Sequence, residues 1–227
     1  EELNKFKNLD SAIKNAINYM TRFGKDENVL KEYMISLSFI LNKVTGCSTK
    51  YKISKNLIEL INILFNSETY ESYEIKSISL ILNALARLDY KKSNEKKISE
   101  QGLFEAAGKV FIGNNSQSIS NTLNALAKFG YTKDEFNESI NNELLEAAGK
   151  VLTSKKSISQ NISNTLNALA KFGYTKDELN KNINDGILFG AIEKVFIGNN
   201  SQSISNTLNA LVKFGYTKEE LKSINNK

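Results

Sequence analysis

The sequence has no histidine, no proline and no tryptophan, and only one cysteine and two arginines in 227 residues. Without histidine there is no imidazole base, no Ser-His or Cys-His nucleophile pair and no imidazole ligand for zinc. Cys47 alone can neither close an intrachain disulfide nor build a thiolate cluster, so it reads as a small buried apolar residue. With Arg22 and Arg87 as the only guanidinium groups, anion binding falls to lysine, a point charge, rather than to bidentate forks. No run approaches eighteen uncharged apolar residues, so no membrane span is expected. The start, Glu1-Glu2-Leu3-Asn4-Lys5, has neither a signal-peptide pattern nor an initiator Met and reads as the start of an excised piece.

What is present suits a soluble folded chain: 41% hydrophobic and 24% charged residues, with 30 Lys+Arg against 25 Asp+Glu for a net charge of +5. That excess admits an acidic partner without demanding one. The decisive feature is repetition. Ile119 to Glu135 (ISNTLNALAKFGYTKDE) recurs unchanged at Ile162 to Glu178, and again at Ile204 to Glu220 with Val212 for Ala and Glu219 for Asp. Diverged copies lie at Ile78 to Tyr90 and at Leu37 to Cys47. Leu41, Leu82, Leu123, Leu166 and Leu208 are thereby equivalent, at separations of 41, 41, 43 and 42 residues, a period typical of helical solenoids.

Apolar residues in each unit follow a 3.6-residue period. In the copy at 119–131, Ile119, Leu123, Leu126, Ala127 and Gly130 share a face expected to bury against the preceding helix. Thr122, Ala125 and Phe129 form a second strip suited to the next repeat. Gly130 supplies a helix end, and Thr132/Glu135, Thr175/Glu178 and Thr217/Glu220 have capping-box spacing. Partner helices are expected at 57–65, 103–111, 144–152 and 188–196, where small residues at 106–108 and 147–149 permit close backbone approach. Glu105/Lys109 and Glu146/Lys150 read as solvated i,i+4 pairs. The segments 114–118, 153–157 and 199–203 read as linkers holding N-cap candidates.

The expected fold is all-α: a right-handed α-solenoid of about five helical hairpins of 41–43 residues. Residues 1–54 form a diverged first repeat or cap, followed by repeats at about 55–97, 98–140, 141–183 and 184–227, all in one solenoid domain. The last unit stops after its capping box. Its strip of Thr207, Ala210 and Phe214 is expected to be left partly open, which predicts continuation in a parent chain or end-to-end self-association.

After the apolar strips are assigned, the second helix of each unit keeps a narrow polar face. Asn121, Asn124 and Lys128 lie within about 60° of one another on helical geometry, as do Asn164, Asn167 and Lys171, and Asn206, Asn209 and Lys213. The diverged copy keeps Asn83 and Arg87. Stacked repeats turn these into a row of carboxamides beside a row of cations, which suits a single-stranded polyanion: cations hold phosphates, amides meet base edges. Four phosphate contacts by Arg87, Lys128, Lys171 and Lys213, at about −0.7 each, give a log–log salt slope of roughly −3. A solvated face, or a buried asparagine ladder that fixes register, is the alternative reading of the same residues. Tyr90, Tyr131, Tyr174 and Tyr216 form another row, read as packing over helix ends in preference to base stacking.

Leu123-Asn124-Ala125-Leu126-Ala127-Lys128-Phe129-Gly130-Tyr131 resembles the L-W-A-L-A-K-L-G-Y core of octotricopeptide repeats, with Asn where that family usually has Trp. The match recurs at 82–90, 166–174 and 208–216 and spans most of residues 55–227. The resemblance implies an α-solenoid that binds single-stranded RNA sequence-selectively in RNA processing, stability or translation, in the cytoplasm or an organelle. No nuclease-like domain follows the repeats here, so binding is transferred and cleavage is not. A second reading stays open: a protein-interaction scaffold, including a secreted effector, that uses the concave face for a protein or peptide ligand. No enzyme activity, metal or cofactor is expected. The pairs Asp134-Glu135, Asp177-Glu178 and Glu219-Glu220 sit at helix starts, where acids stabilise the dipole.

Overall fold

The computed structural model of the chain describes residues 2–23, 26–46, 51–65, 75–95 and 97–220. Among them every regular element is helical and no strand occurs, so the chain is all-α as its periodicity predicts. Cys47, the link at 66–74 and the tail after Glu220 lie outside the described residues.

The chain divides into two compact units, Glu1–Val110 and Phe111–Lys227. The first contains α1 (Glu2–Phe23), α2 (Glu27–Val44), α3 (Lys55–Phe65), α4 (Ile75–Arg87) and most of α5 (Glu100–Ile112). Here α1 packs on α3 and α2 packs on α4. On α3, Leu57, Ile58, Leu60, Ile61, Leu64 and Phe65 are all buried, as expected from its apolar run. Asp26 caps α2 by accepting from the Asn28 and Val29 amides at 2.9 and 3.2 Å.

The second unit contains α6 (Ser116–Phe129), a 3₁₀ turn (Lys133–Glu135), α7 (Glu138–Thr153), α8 (Ser159–Phe172), α9 (Lys176–Asn182), α10 (Asp185–Ile197) and α11 (Ser201–Phe214). Helix α8 packs between α6 and α11, while α7 and α10 form a second row against them. Two rows are what two apolar arcs per helix require.

The recurring punctuation fixes where these helices end. Gly130, Gly173 and Gly215 adopt φ of 94, 90 and 96°, a left-handed conformation in which a side chain is strained. Asp89, with φ 66°, holds that position in the diverged copy. All three capping boxes form, with Glu135, Glu178 and Glu220 each accepting from the backbone amide and hydroxyl of Thr132, Thr175 and Thr217. The linkers are shorter than the sequence suggests. Asn115 and Asn200 are the N-caps, accepting from Ser118 and Ser203 amides at 2.9 Å, so Ser116–Ser118 and Ser201–Ser203 are already helix. Polar composition there reflects a solvated first turn.

Packing differs from the expected strips in one respect. Thr207, Ala210 and Phe214 are buried on α11, whereas Leu208 and Val212 are exposed, although Leu123, Leu166, Ala127 and Ala170 are buried. The strip of Leu123 and Ala127 is therefore the one covered by the following helix, and the strip of Thr207, Ala210 and Phe214, equivalent to Thr122, Ala125 and Phe129, packs toward the preceding one. Both strips are apolar and adjacent on the helix, so periodicity alone does not rank them. The small-residue argument also divides. Ala106, Ala107, Ala147 and Ala148 are fully buried, but a Cβ on Gly149 would meet nothing within 4 Å. Gly198 is a position of close approach, where a Cβ would lie 2.0 Å from Ser159 Oγ and 3.2 Å from Ser159 Cβ.

Candidate functional site

Helices α6, α8 and α11 lie side by side, and each carries one copy of the polar stripe away from its buried arcs. Asn121, Asn124 and Lys128 on α6 are half-buried. On α8, Asn164 and Asn167 are half-buried and Lys171 is exposed, and on α11 Asn206 is half-buried while Asn209 and Lys213 are exposed. Packed helices stand about 8–10 Å apart, so equivalent groups recur at about that spacing. None of these asparagines is buried, which removes the reading of an internal asparagine ladder that fixes register. Among the described residues, no hydrogen bond engages the carboxamides of Asn124, Asn167 and Asn209.

The stripe is one residue longer in each copy than the sequence reading made it. Gln117, Gln160 and Gln202 precede the first Asn by four residues, point to the same side on helical geometry and are exposed. Gln202 Nε2 donates to Asn206 Oδ1 at 3.0 Å, which joins the two carboxamides into one surface. The signal is a third amide at i−4, which for Gln117 and Gln202 sits in the segments 114–118 and 199–203 that read as linker, while Gln160 lies beyond 153–157.

A groove of 490 Å³ opens beside Gln117, lined by Asn114, Asn115, Ser116, Lys156, Ile158 and Asn161. It adjoins the stripe through Gln117, which lines both. Asn161 also crosses between helices, its Oδ1 being 3.5 Å from Ser120 Oγ.

Asn83 and Arg87 lie on α4 in the first unit, half-buried and exposed respectively. Arg87 Nη2 donates to the carbonyl of Thr45 at 3.2 Å, and Thr45 is the C-cap of α2. Its cation thus completes a helix terminus, where positive charge is favourable. Asn83 and Arg87 thus belong to the first unit, and the other nine residues of the stripe to the second.

The tyrosine row is structural. Tyr90, Tyr131, Tyr174 and Tyr216 are buried. The Tyr90 hydroxyl accepts from the Ile98 amide at 2.8 Å, Tyr174 donates to Asn141 Oδ1 at 2.6 Å and Tyr216 to Asp185 Oδ1 at 2.9 Å. Burial raises the Tyr174 and Tyr216 hydroxyls above the usual phenol range, and the Asp185 carboxylate adds to the shift at Tyr216. Rings held this way offer no face for base stacking.

Several lysines are likewise committed to the fold. Lys133 pairs with Glu178 and Lys176 with Glu220, each linking one repeat's capping segment to the next within the second unit. Those contacts, with the Thr175 and Thr217 donors, hold Glu178 below the usual carboxylate range and Glu220 down to about 2. Lys150 pairs with Glu146 at 3.2 Å but also donates to the Phe111 and Ile112 carbonyls at 3.3 and 3.4 Å, so it caps α5 and is not an idle surface charge. Lys194 does the same for the Ser154 carbonyl at 3.4 Å.

No group of three or more His, Cys, Asp or Glu that could hold a metal occurs among the described residues. No described helix is long and apolar enough to cross a membrane. No family model, curated protein or solved structure matches the chain.

Proposed function

We propose that the helical pairs stack as a solenoid and that this chain binds single-stranded RNA along the stripe on α6, α8 and α11. The observation that carries the reading is the threefold Gln-Asn-Asn-Lys set on adjacent helices, whose carboxamides at Asn124, Asn167 and Asn209 make no hydrogen bond among the described residues. Lys128, Lys171 and Lys213 hold phosphates as point charges. The carboxamides, with a donor and an acceptor each, meet the base edges that single strands expose. The net charge of +5 favours the encounter. Sequence selectivity and a role in RNA processing, stability or translation rest on the octotricopeptide-like core, with Asn replacing Trp. Arg87 is assigned to capping α2 and not to the ligand.

Anisotropy titration of labelled mixed-sequence single-stranded RNA tests this, with duplex DNA as the comparison. Lys128→Glu, Lys171→Glu and Lys213→Glu together place like charge against phosphate and are expected to weaken binding about a hundredfold or more while the chain stays helical. Equal affinity of the variant and the parent chain rejects the site. Absence of any RNA binding at low salt directs attention to a protein ligand.

A further inference from the structure

Near-identical repeats serve as internal controls for what covers a surface. On α6 and α8 the arc of Ser120, Leu123 and Ala127, and of Ser163, Leu166 and Ala170, is buried. The following helix packs on each, α8 on α6 and α11 on α8. On α11 the same arc is open: Ser205 is exposed, Leu208 is 42% exposed and Val212 is 65% exposed. The contacting arc of the incoming helix is the one that carries Thr165 and Phe172 on α8, and Thr207 and Phe214 on α11, all buried.

Helix α2 presents the mirror image. Its Ser38 and Leu41 arc is buried with α4 packed against the helix. Ile40, equivalent to the buried Ile81, Thr122, Thr165 and Thr207, is 39% exposed, and its neighbour Phe39 is 63% exposed. Thus α11 leaves open the arc that normally receives a helix, and α2 leaves open the arc that normally inserts. Each half is apolar at its centre, and each is the counterpart of a contact made within the chain itself.

We propose that these two arcs meet between copies of this chain, with Leu208 and Val212 of one molecule packed on Ile40 of another and Phe39, which stands at the Asn121 position, flanking that contact. The contact uses a different patch on each molecule and is therefore heterologous. The internal contacts specify the occupant: a helix with a small or branched apolar residue at the Ile40 position, which α2 supplies. Lys43 stands in the last turn of α2, where Ala125 and Ala168 stand on α6 and α8, so the intermolecular contact is more polar at one end than the internal ones.

Sedimentation equilibrium on the full chain tests the proposal with two surface variants, Ile40→Lys and Val212→Lys. The parent chain is expected to exceed the 25.4 kDa of one molecule as concentration rises, and each variant alone to remain at that mass. An equimolar mixture of the two variants is expected to give a dimer, because Ile40→Lys keeps an intact α11 and Val212→Lys an intact α2. A parent chain that stays monomeric up to about 1 mM, where an interface of millimolar Kd would register, overturns the proposal. Undiminished association of either variant alone, or no dimer in the mixture, overturns it equally.

Discussion

At the scale of single residues, the repeated threonine is the most informative misfit. Thr122, Thr165 and Thr207 are fully buried and their hydroxyls have no hydrogen-bond partner. A helical threonine can bond back to the carbonyl one turn earlier, but these do not, so each stands as a desolvated hydroxyl within an apolar arc. Thr122→Val, Thr165→Val and Thr207→Val are each expected to stabilise the chain by about 1 kcal/mol, because the substitution removes an unmet polar group and keeps the branched shape. Thermal unfolding checks this, and a lower midpoint would show that the hydroxyls find partners in solution. The sequence placed these threonines on an apolar strip but with the wrong neighbour, since two adjacent apolar arcs look alike in a helical wheel. The lysines were harder to read. Nothing in the spacing of Lys150 announces that it caps the end of α5, a contact made across the fold.

At the scale of elements, local signals were read well because caps and turns are set by neighbours in sequence. Gly130, Gly173 and Gly215 end their helices in the left-handed region, and the Thr-x-x-Glu boxes start the next segments. Gly149 was read on composition as a close-approach site, and the open space at its Cβ position shows otherwise. Gly149→Ala is therefore expected to raise stability by about 0.5–1 kcal/mol through helix propensity, while Gly173→Ala, at φ 90°, is expected to lower it by about 1–2 kcal/mol. Chemical denaturation of the two variants gives shifts of opposite sign if the assignment holds. The capping boxes also carry a pH dependence. Glu220 is held at about 2 against its ordinary 4.5, and Glu178 is lowered too. A depressed carboxyl contributes stability above its unfolded pKa, and that stability is lost as pH falls through the folded value. Melting temperature is thus expected to fall between about pH 4.5 and 2, and to fall less steeply in Glu220→Gln. A parallel decline in both proteins would remove Glu220 from the linkage.

At the scale of the whole molecule, the all-helical class was legible because proline is absent and the apolar period is uniform. The candidate site was legible in part. Nine residues of the stripe share neighbouring helices in the second unit, where exact repetition carries the pattern forward. Asn83 and Arg87 belong to the first unit, and Arg87 is tied to the end of α2. Gln117 and Gln202 fall in segments whose polar composition reads as linker, whereas Gln160 lies just past the 153–157 segment and the stripe reading simply starts one turn too late. The proposal accordingly assigns three cations of the second unit to the ligand, Lys128, Lys171 and Lys213, and leaves Arg87 with the end of α2. The measurement that tests the central claim most directly is the salt dependence of single-stranded RNA affinity. Three phosphate contacts at about −0.7 each predict a log–log slope near −2 for the parent chain, and a slope near zero for the Lys128, Lys171 and Lys213 to Glu variant. A parent slope near zero, or one that the triple substitution leaves unchanged, would contradict the stripe as an RNA-binding surface.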